Sequence, residues 1–233
     1  MALNWRIHHR SESVSTNLDA RQGVHGDVFT ADFQTSGRGR LDHRWLSPPS
    51  VNLLMSAVLD VGEIAPEEVA TLPLVVGLSV IKALPERIRG EKLTLKWPND
   101  VLLGNRKLSG ILCQRRGDLV IAGIGVNVKA QEFAPEIAAR ATYLGMDSVE
   151  KVRDLILKSL GENYGKWREQ GFAALHRELS ELDSLRGRTV TVSRVDDDAE
   201  AITGECAGIM LSGALNVGGC EVYAGEAHVE GIV

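Results

Sequence analysis

Residues 95–112 read LKWPNDVLLGNRKLSGIL. Pro98 and Asn99 make a tight turn, because proline pre-sets φ and asparagine tolerates turn geometry, and Asp100 then leads into an apolar run. A second turn signal at Gly104 to Arg106 sends the chain back, so Lys107 falls on the return strand of a hairpin. That arrangement carries a carboxylate, Asp100, and an ammonium, Lys107, toward one rim of a sheet. An ordinary hairpin with a surface lysine accounts for the same residues, and Trp97 reads as core on either account.

Working outward, LTLKW, DVLLG, KLSGILCQ and LVIAGIGVNV are four short strands divided by PN, GNR and RRGD turns. Upstream, DVFTADFQ (residues 27–34) alternates and is rich in β-formers. VNLLMSAVLD (51–60) is nearly all apolar, as in a strand covered on both faces. NLDARQG reads as a short helix closed by Gly23. From Pro66 a helix is expected through PEEVATLPLVVGLSVIKALPERI, with Val69, Leu72, Val76, Val80 and Leu84 on one face and a kink at Pro73. Residues 148–183 carry helical periodicity with heavy charge. From Arg188 the chain turns to short strands without helices (TVTVSRV, AITGECAGIM, ALNVG, CEVYAGEAHV), which suggests a small closed barrel. The boundary is expected near Asp183 to Leu185, giving units 1–183 and 184–233.

The 233 residues are 44% hydrophobic and 24% charged, enough to bury a core and keep surface for a pocket. A formal net charge of −5 argues against general nucleic-acid binding. Cys113, Cys206 and Cys220 form no C-x-x-C pair and read as reduced thiols, not as a disulfide or zinc framework. Neither a signal-peptide run nor a membrane-spanning apolar stretch is present, so a cytoplasmic protein is expected.

Four segments carry candidate chemistry. In TSGRGR (35–40), Gly37 and Gly39 let backbone N–H groups approach an anion, while Arg38 and Arg40 add fork-shaped donors. A solvated turn, a nucleic-acid patch and a loop closing over an anion all remain open for it. Asp100 and Lys107 are the second candidate. In GIGVNV (123–128), the glycines suggest close approach by a neighbour or ligand, and Asn127 needs a partner, structural or bound. SVSTN (13–17) is hydroxyl-rich, and a plain N-cap would explain it too.

In order and combination, S-T-N, Q-T-S-G-R-G-R with a following Trp, K-W-P-N-D-V, R-K-L-S-G-I-L and G-I-G-V-N-V resemble the catalytic domain of a biotin protein ligase. PEIAARATYL (135–144) resembles the family's segment after its last strand, and the C-terminal piece resembles its SH3-like barrel. The resemblance implies an α+β fold: a mixed β-sheet flanked by helices, class II aminoacyl-tRNA synthetase-like, with a small C-terminal SH3-like β-barrel. It implies activation of biotin by ATP and Mg²⁺ to biotinyl-5′-AMP, then transfer to a lysine of a biotin carboxyl carrier protein.

By the same resemblance, Lys107, Arg38 and Arg40 are the catalytic cations. Ser15, Thr16, Asn17, Gln34, Gly37, Gly39 and Gly110 join them in binding biotin. Trp45 and Asn127 lie on the nucleotide side with Arg38, Arg40 and Lys107, while Asp100, with Asn99, would hold Mg²⁺ through water. The glycine-arginine loop is expected to be mobile when empty and to fold over biotin and the ATP phosphates. The family usually continues G-R-G-R-x-G-R, whereas this chain has Leu41, Asp42, His43 and Arg44, with Asp42 in place of a glycine. The S-T-N segment begins at residue 15, so the expected form lacks an N-terminal DNA-binding domain. A homodimer through a sheet edge is a further family possibility. Lipoate or octanoate ligases share the fold and the acyl-lysine logic, and a catalytically inactive biotin-binding module is the third reading.

Overall fold

The computed structural model describes residues 3–41, 43–193 and 201–229. Eight strands make the larger sheet: β1 (Arg6–Ser13), β2 (Asp27–Gln34), β3 (Leu53–Asp60), β4 (Arg87–Ile88), β5 (Glu91–Lys96), β6 (Asp100–Leu103), β7 (Arg106–Arg116) and β8 (Leu119–Val126). Their spatial order is β1-β2-β3-β8-β7-β6-β5-β4. The β1–β2 pair is parallel and the other pairs are antiparallel, so the sheet is mixed, as expected.

One face of this sheet is apolar. Leu53, Met55, Ile124, Ile111, Val101 and Leu95 project from it into a core shared with three helices. These are α3 (Leu72–Lys82), α5 (Val149–Gln170) and α6 (Ala173–Leu182); the short α2 (Pro66–Val69) precedes them, and α4 (Pro135–Ala138) lies between β8 and α5. Among the described residues the other face is covered by α1 (Thr16–Asp19), which packs against β2, β3 and β8, and by the single 3-10 turn Ala20–Gln22 that follows it, and the remainder leaves room for a site. No helix among the described residues is long and apolar enough to cross a membrane.

Local chemistry explains where the elements depart from expectation. The helix from Pro66 is two helices, and Pro73 sits in the first turn of α3 rather than kinking it. A proline costs nothing there, because the first-turn N–H groups have no helical partner. Arg87 and Ile88 leave the expected helix for β4. The segment 148–183 divides at Gly171, whose φ of 76° ends α5. Strand β1 gave no apolar alternation because it is an edge strand, exposed along nearly its whole length.

The C-terminal piece is a five-stranded antiparallel sheet of β9 (Thr189–Ser193), β10 (Ile202–Ile209), β11 (Leu215–Val217), β12 (Cys220–Val222) and β13 (Glu226–Val229). Its order is β12-β11-β10-β9-β13, and among the described residues no pairing joins its two ends. The end of the expected strand TVTVSRV beyond Ser193 lies outside the described residues.

This sheet is fastened to the larger one by directed bonds. Trp97 Nε1 donates to Gly213 O at 3.0 Å and Ser184 N to Leu95 O at 2.8 Å. Asp183 accepts from the backbone N–H groups of Leu185 (2.9 Å) and Ile209 (3.1 Å). Burial pushes its carboxyl up, against the pull of those donors. Val190, Val192, Cys206 and Leu215 continue the same apolar core.

Candidate active site

Residues directly opposite on antiparallel strands share a face. Leu54, Gly125, Gly110, Asp100 and Lys96 therefore form one row across β3, β8, β7, β6 and β5 on the open face. The two glycines in its centre are a floor. A Cβ at Gly125 would lie 2.6 Å from the Trp45 indole and one at Gly110 3.0 Å from it, so Trp45 lies flat where side chains are missing. Trp45 Nε1 is buried with no hydrogen-bond partner among the described residues.

Strict alternation would put Lys107 on the opposite face from Gly110, three residues away. The register shifts between Val101 and Leu102, with Ser109 opposite Val101 but Lys107 opposite Leu102. The bulge at Leu108 thus turns Lys107 to the open face. Its Nζ lies 2.8 Å from Asp100 Oδ1 and 5.9 Å from the centroid of the Trp45 ring. The carboxylate and ammonium expected at one rim are together there. The Lys107 backbone is held by the segment after α4: its N–H donates to Arg140 O at 2.7 Å, and Thr142 N donates to Lys107 O at 2.9 Å.

A second row of the same face, Ser56–Gly123–Leu112, carries a neutral cluster. Asn17 sits over Gly123, where a Cβ would collide with its carboxamide oxygen. Asn17 Nδ2 donates to Gln114 Oε1 at 3.0 Å, and Ser56 Oγ donates to Asn17 Oδ1 at 2.6 Å while lying 2.7 Å from Thr16 Oγ1. Gln34 Oε1 accepts from Thr16 N at 2.7 Å. Ser15 occupies the N-cap position of α1, yet its side chain makes no capping bond, so capping does not account for the hydroxyl. Ser56 and Gln114 were missed in the sequence: a serine inside LLMSAVLD and a glutamine after KLSGILC look like strand filler.

The glycine-arginine loop lies between β2 and β3. Trp45 N donates to Gly37 O at 3.0 Å and Gly39 N to His43 O at 2.6 Å, folding it into a narrow hairpin. Arg38 points to solvent on that hairpin, opposite Arg44, and is not drawn to Lys107. Arg44 instead donates to Thr35 O at 3.2 Å.

Arg40 points inward. Its Nη1 donates to Asn99 Oδ1 at 3.4 Å and to Gly225 O at 3.3 Å, so one guanidinium joins the loop, the β5–β6 turn and the C-terminal sheet. Burial lowers the Arg40 pKa, while Asp100 and Glu226 act in the opposite direction. Glu226 also lies 3.8 Å from His43, a C-terminal contribution that no local pattern disclosed. Asp42 lies outside the described residues.

Asn127 is 5% exposed, and its Nδ2 donates to Thr142 O at 2.9 Å. The structural partner left open for it is therefore present, and it steadies the segment that holds Lys107. Among the described residues no three His, Cys, Asp or Glu side chains gather as a metal cluster. Asp100, next to Asn99, is the carboxylate on this row, and it is ion-paired with Lys107.

The sequence model of the biotin/lipoate A/B protein ligase family matches residues 9–130. The fold superposes with a TM-score of 0.83 on the Aquifex aeolicus biotin protein ligase in complex with biotin and ATP, at 32% identity, covering 96% of this chain and 98% of that one. The bifunctional ligase/repressor BirA of Bacillus spizizenii is 34% identical over 61% of this chain and 45% of its own length. The biotin–[acetyl-CoA-carboxylase] ligase of Mycobacterium tuberculosis is 31% identical over 68% of this chain and 64% of its own. The chain thus spans less than two thirds of either of these curated relatives.

Proposed function

Because the chain belongs to the biotin/lipoate A/B protein ligase family, we propose that it is a biotin protein ligase. A biotin carboxylate oxygen attacks the α-phosphorus of ATP, the bond to the β-phosphate oxygen breaks, and pyrophosphate leaves. The amine of a carrier-protein lysine then attacks the acyl carbon of biotinyl-5′-AMP and displaces AMP. The observation that carries this reading is the pairing, on one sheet face, of a neutral hydrogen-bonding cluster with a cationic cluster across a glycine floor.

The neutral groups of Ser15, Thr16, Asn17 and Gln34 suit a ureido ring, whose carbonyl accepts and whose N–H groups donate. The floor of Gly110 and Gly125, with Gly37 and Gly39 above it, gives the acyl chain a flat channel once Trp45 lifts. Lys107 stands where two anions must meet, and it offsets their repulsion as charge builds at the α-phosphate. Arg40 fixes the loop beside it, Arg38 covers the phosphates from outside when the loop closes, and Asn127 with Trp45 borders the nucleotide. Mg²⁺ would be held chiefly by triphosphate and water with Asp100 as its protein carboxylate, which a single available carboxylate fits. When bound it supplies charge neutralisation.

We read 1–183 as the biotin- and ATP-binding domain, related to class II aminoacyl-tRNA synthetases, and 184–233 as the SH3-like barrel. The acceptor is a biotin carboxyl carrier protein. The test is biotin-dependent exchange of labelled pyrophosphate into ATP, with lipoate as the competing acid and Lys107→Ala as control. Exchange with biotin alone, lost in the variant, supports the reading. Exchange with lipoate alone replaces it with the sister activity.

A further inference from the structure

The row across the open face ends on β5 at Lys96, directly opposite Asp100. Asp100 and Lys107 are ion-paired at 2.8 Å. Lys96 is the cation left over: among the described residues it makes no hydrogen bond or ion pair, although it is half-buried. Leu95 beside it points into the core, which fixes Lys96 on the ligand face. Two residues earlier on the same face, Thr94 Oγ1 is buried without a partner. An ammonium partly withdrawn from water, with its nearest carboxylate already paired to Lys107, is unfavourable, and so is a buried hydroxyl without an acceptor. Two adjacent donors left unpaired on one strand point to an acceptor that arrives with a ligand.

Charge and place identify that ligand. Burial lowers the Lys96 pKa, Asp100 and Glu226 raise it, and Lys107 and Arg140 lower it further. Lys96 thus has the cations Lys107 and Arg140 and the carboxylates Asp100 and Glu226 as its charged neighbours, and Arg40 stands beside the same two carboxylates, a local surplus of positive charge suited to a polyphosphate. Lys107 is the cation nearest the glycine floor and Trp45. Lys96 stands beyond Asp100, on the side away from the floor.

We propose that Lys96 is a catalytic residue that binds the β- and γ-phosphate oxygens of ATP and stabilises the departing pyrophosphate, while Lys107 serves the carboxylate and the α-phosphate. This rests on the adenylating function above. As the carboxylate oxygen bonds to the α-phosphorus, the electron pair of the broken bond goes to the pyrophosphate oxygen. Lys96 offsets that charge and no proton moves.

The test compares full-length wild type with Lys96→Met, which keeps the stem without the charge, and Lys96→Arg. In Lys96→Met, biotin-dependent pyrophosphate exchange falls about 10²-fold, the size expected for one lost charge-stabilising donor. Half-saturation rises for ATP and pyrophosphate, biotin binding without ATP stays the same, and Tm does not fall. Lys96→Arg recovers part of the loss. Unchanged exchange in Lys96→Met, or an equal weakening of biotin binding, overturns the proposal. If wild type shows no biotin-dependent exchange, the ligase reading itself fails. Direct calorimetry with Mg-pyrophosphate then decides the Lys96 site: binding lost in Lys96→Met upholds it, and binding retained in the variant or absent in wild type ends it.

Discussion

The two ends of the open face solve opposite problems on the same strands. At the Ser56–Gly123 end, Thr16, Asn17, Gln34, Ser56 and Gln114 bond to one another, and the cluster is whole without a ligand. At the Asp100–Lys96 end, cations outnumber carboxylates, Lys96 and Thr94 Oγ1 lack partners among the described residues, and so does Trp45 Nε1 over the floor. A neutral ligand can be recognised by groups that exchange one set of hydrogen bonds for another. A polyanion requires charge held ready, and holding it costs stability until the anion arrives. The neutral end is therefore satisfied as it stands, and the charged end is left incomplete.

The largest effect that could break this comparison is at Lys107. Lys107→Ala should reduce pyrophosphate exchange about 10²–10³-fold while the Ser56 cluster stays intact. Steady-state exchange together with biotin calorimetry checks both halves, and a loss confined to biotin affinity would erase the division. Next is Ser56→Ala, which leaves Asn17 Oδ1 and Thr16 Oγ1 without their shared partner. An expected cost of about 1–3 kcal/mol per unsatisfied group predicts biotin binding weakened roughly 10- to 100-fold, with ATP half-saturation unchanged.

Gly125→Ala tests the floor between the two ends. The added Cβ would meet the Trp45 indole at 2.6 Å and lift the ring. Biotin affinity should fall about 10-fold, the size of roughly 1.4 kcal/mol, with a change in tryptophan fluorescence. An unaltered spectrum would mean that Trp45 does not rest on the floor in solution. The smallest effect is salt: raising ionic strength should weaken ATP half-saturation a few-fold and leave biotin binding in the absence of ATP unaffected. Equal salt sensitivity at both ends would contradict the comparison.

Much of this was legible in the residues. The hairpin carrying Asp100 and Lys107, the glycines at 123 and 125, and the strands β2, β3 and β5 to β8 follow from turn chemistry and apolar runs, while Gly110 came only with the family resemblance. The parity of Lys107 did not, because it depends on a bulge set by how β6 and β7 pair. Ser56, Gln114 and Glu226 were hidden for a different reason: each gains its role from a residue distant in the chain. Lys96 precedes a tryptophan that reads as core, and only the row across five strands shows which side it faces. Arg38, prominent in the sequence, faces solvent, and the less distinctive Arg40 carries the contacts.

One of those contacts bears on how the protein is made. Arg40 and Gly225 are 185 positions apart. Translation delivers the loop and the whole neutral cluster well before the carbonyl that anchors Arg40, which follows the arginine by 185 residues. A nascent or truncated chain ending before residue 225 would already hold every member of the neutral cluster. It would lack the anchor that fixes the loop cation beside Asn99. The order of synthesis thus separates the two ends of the open face in time: the neutral cluster can close before the loop cation acquires its last anchor.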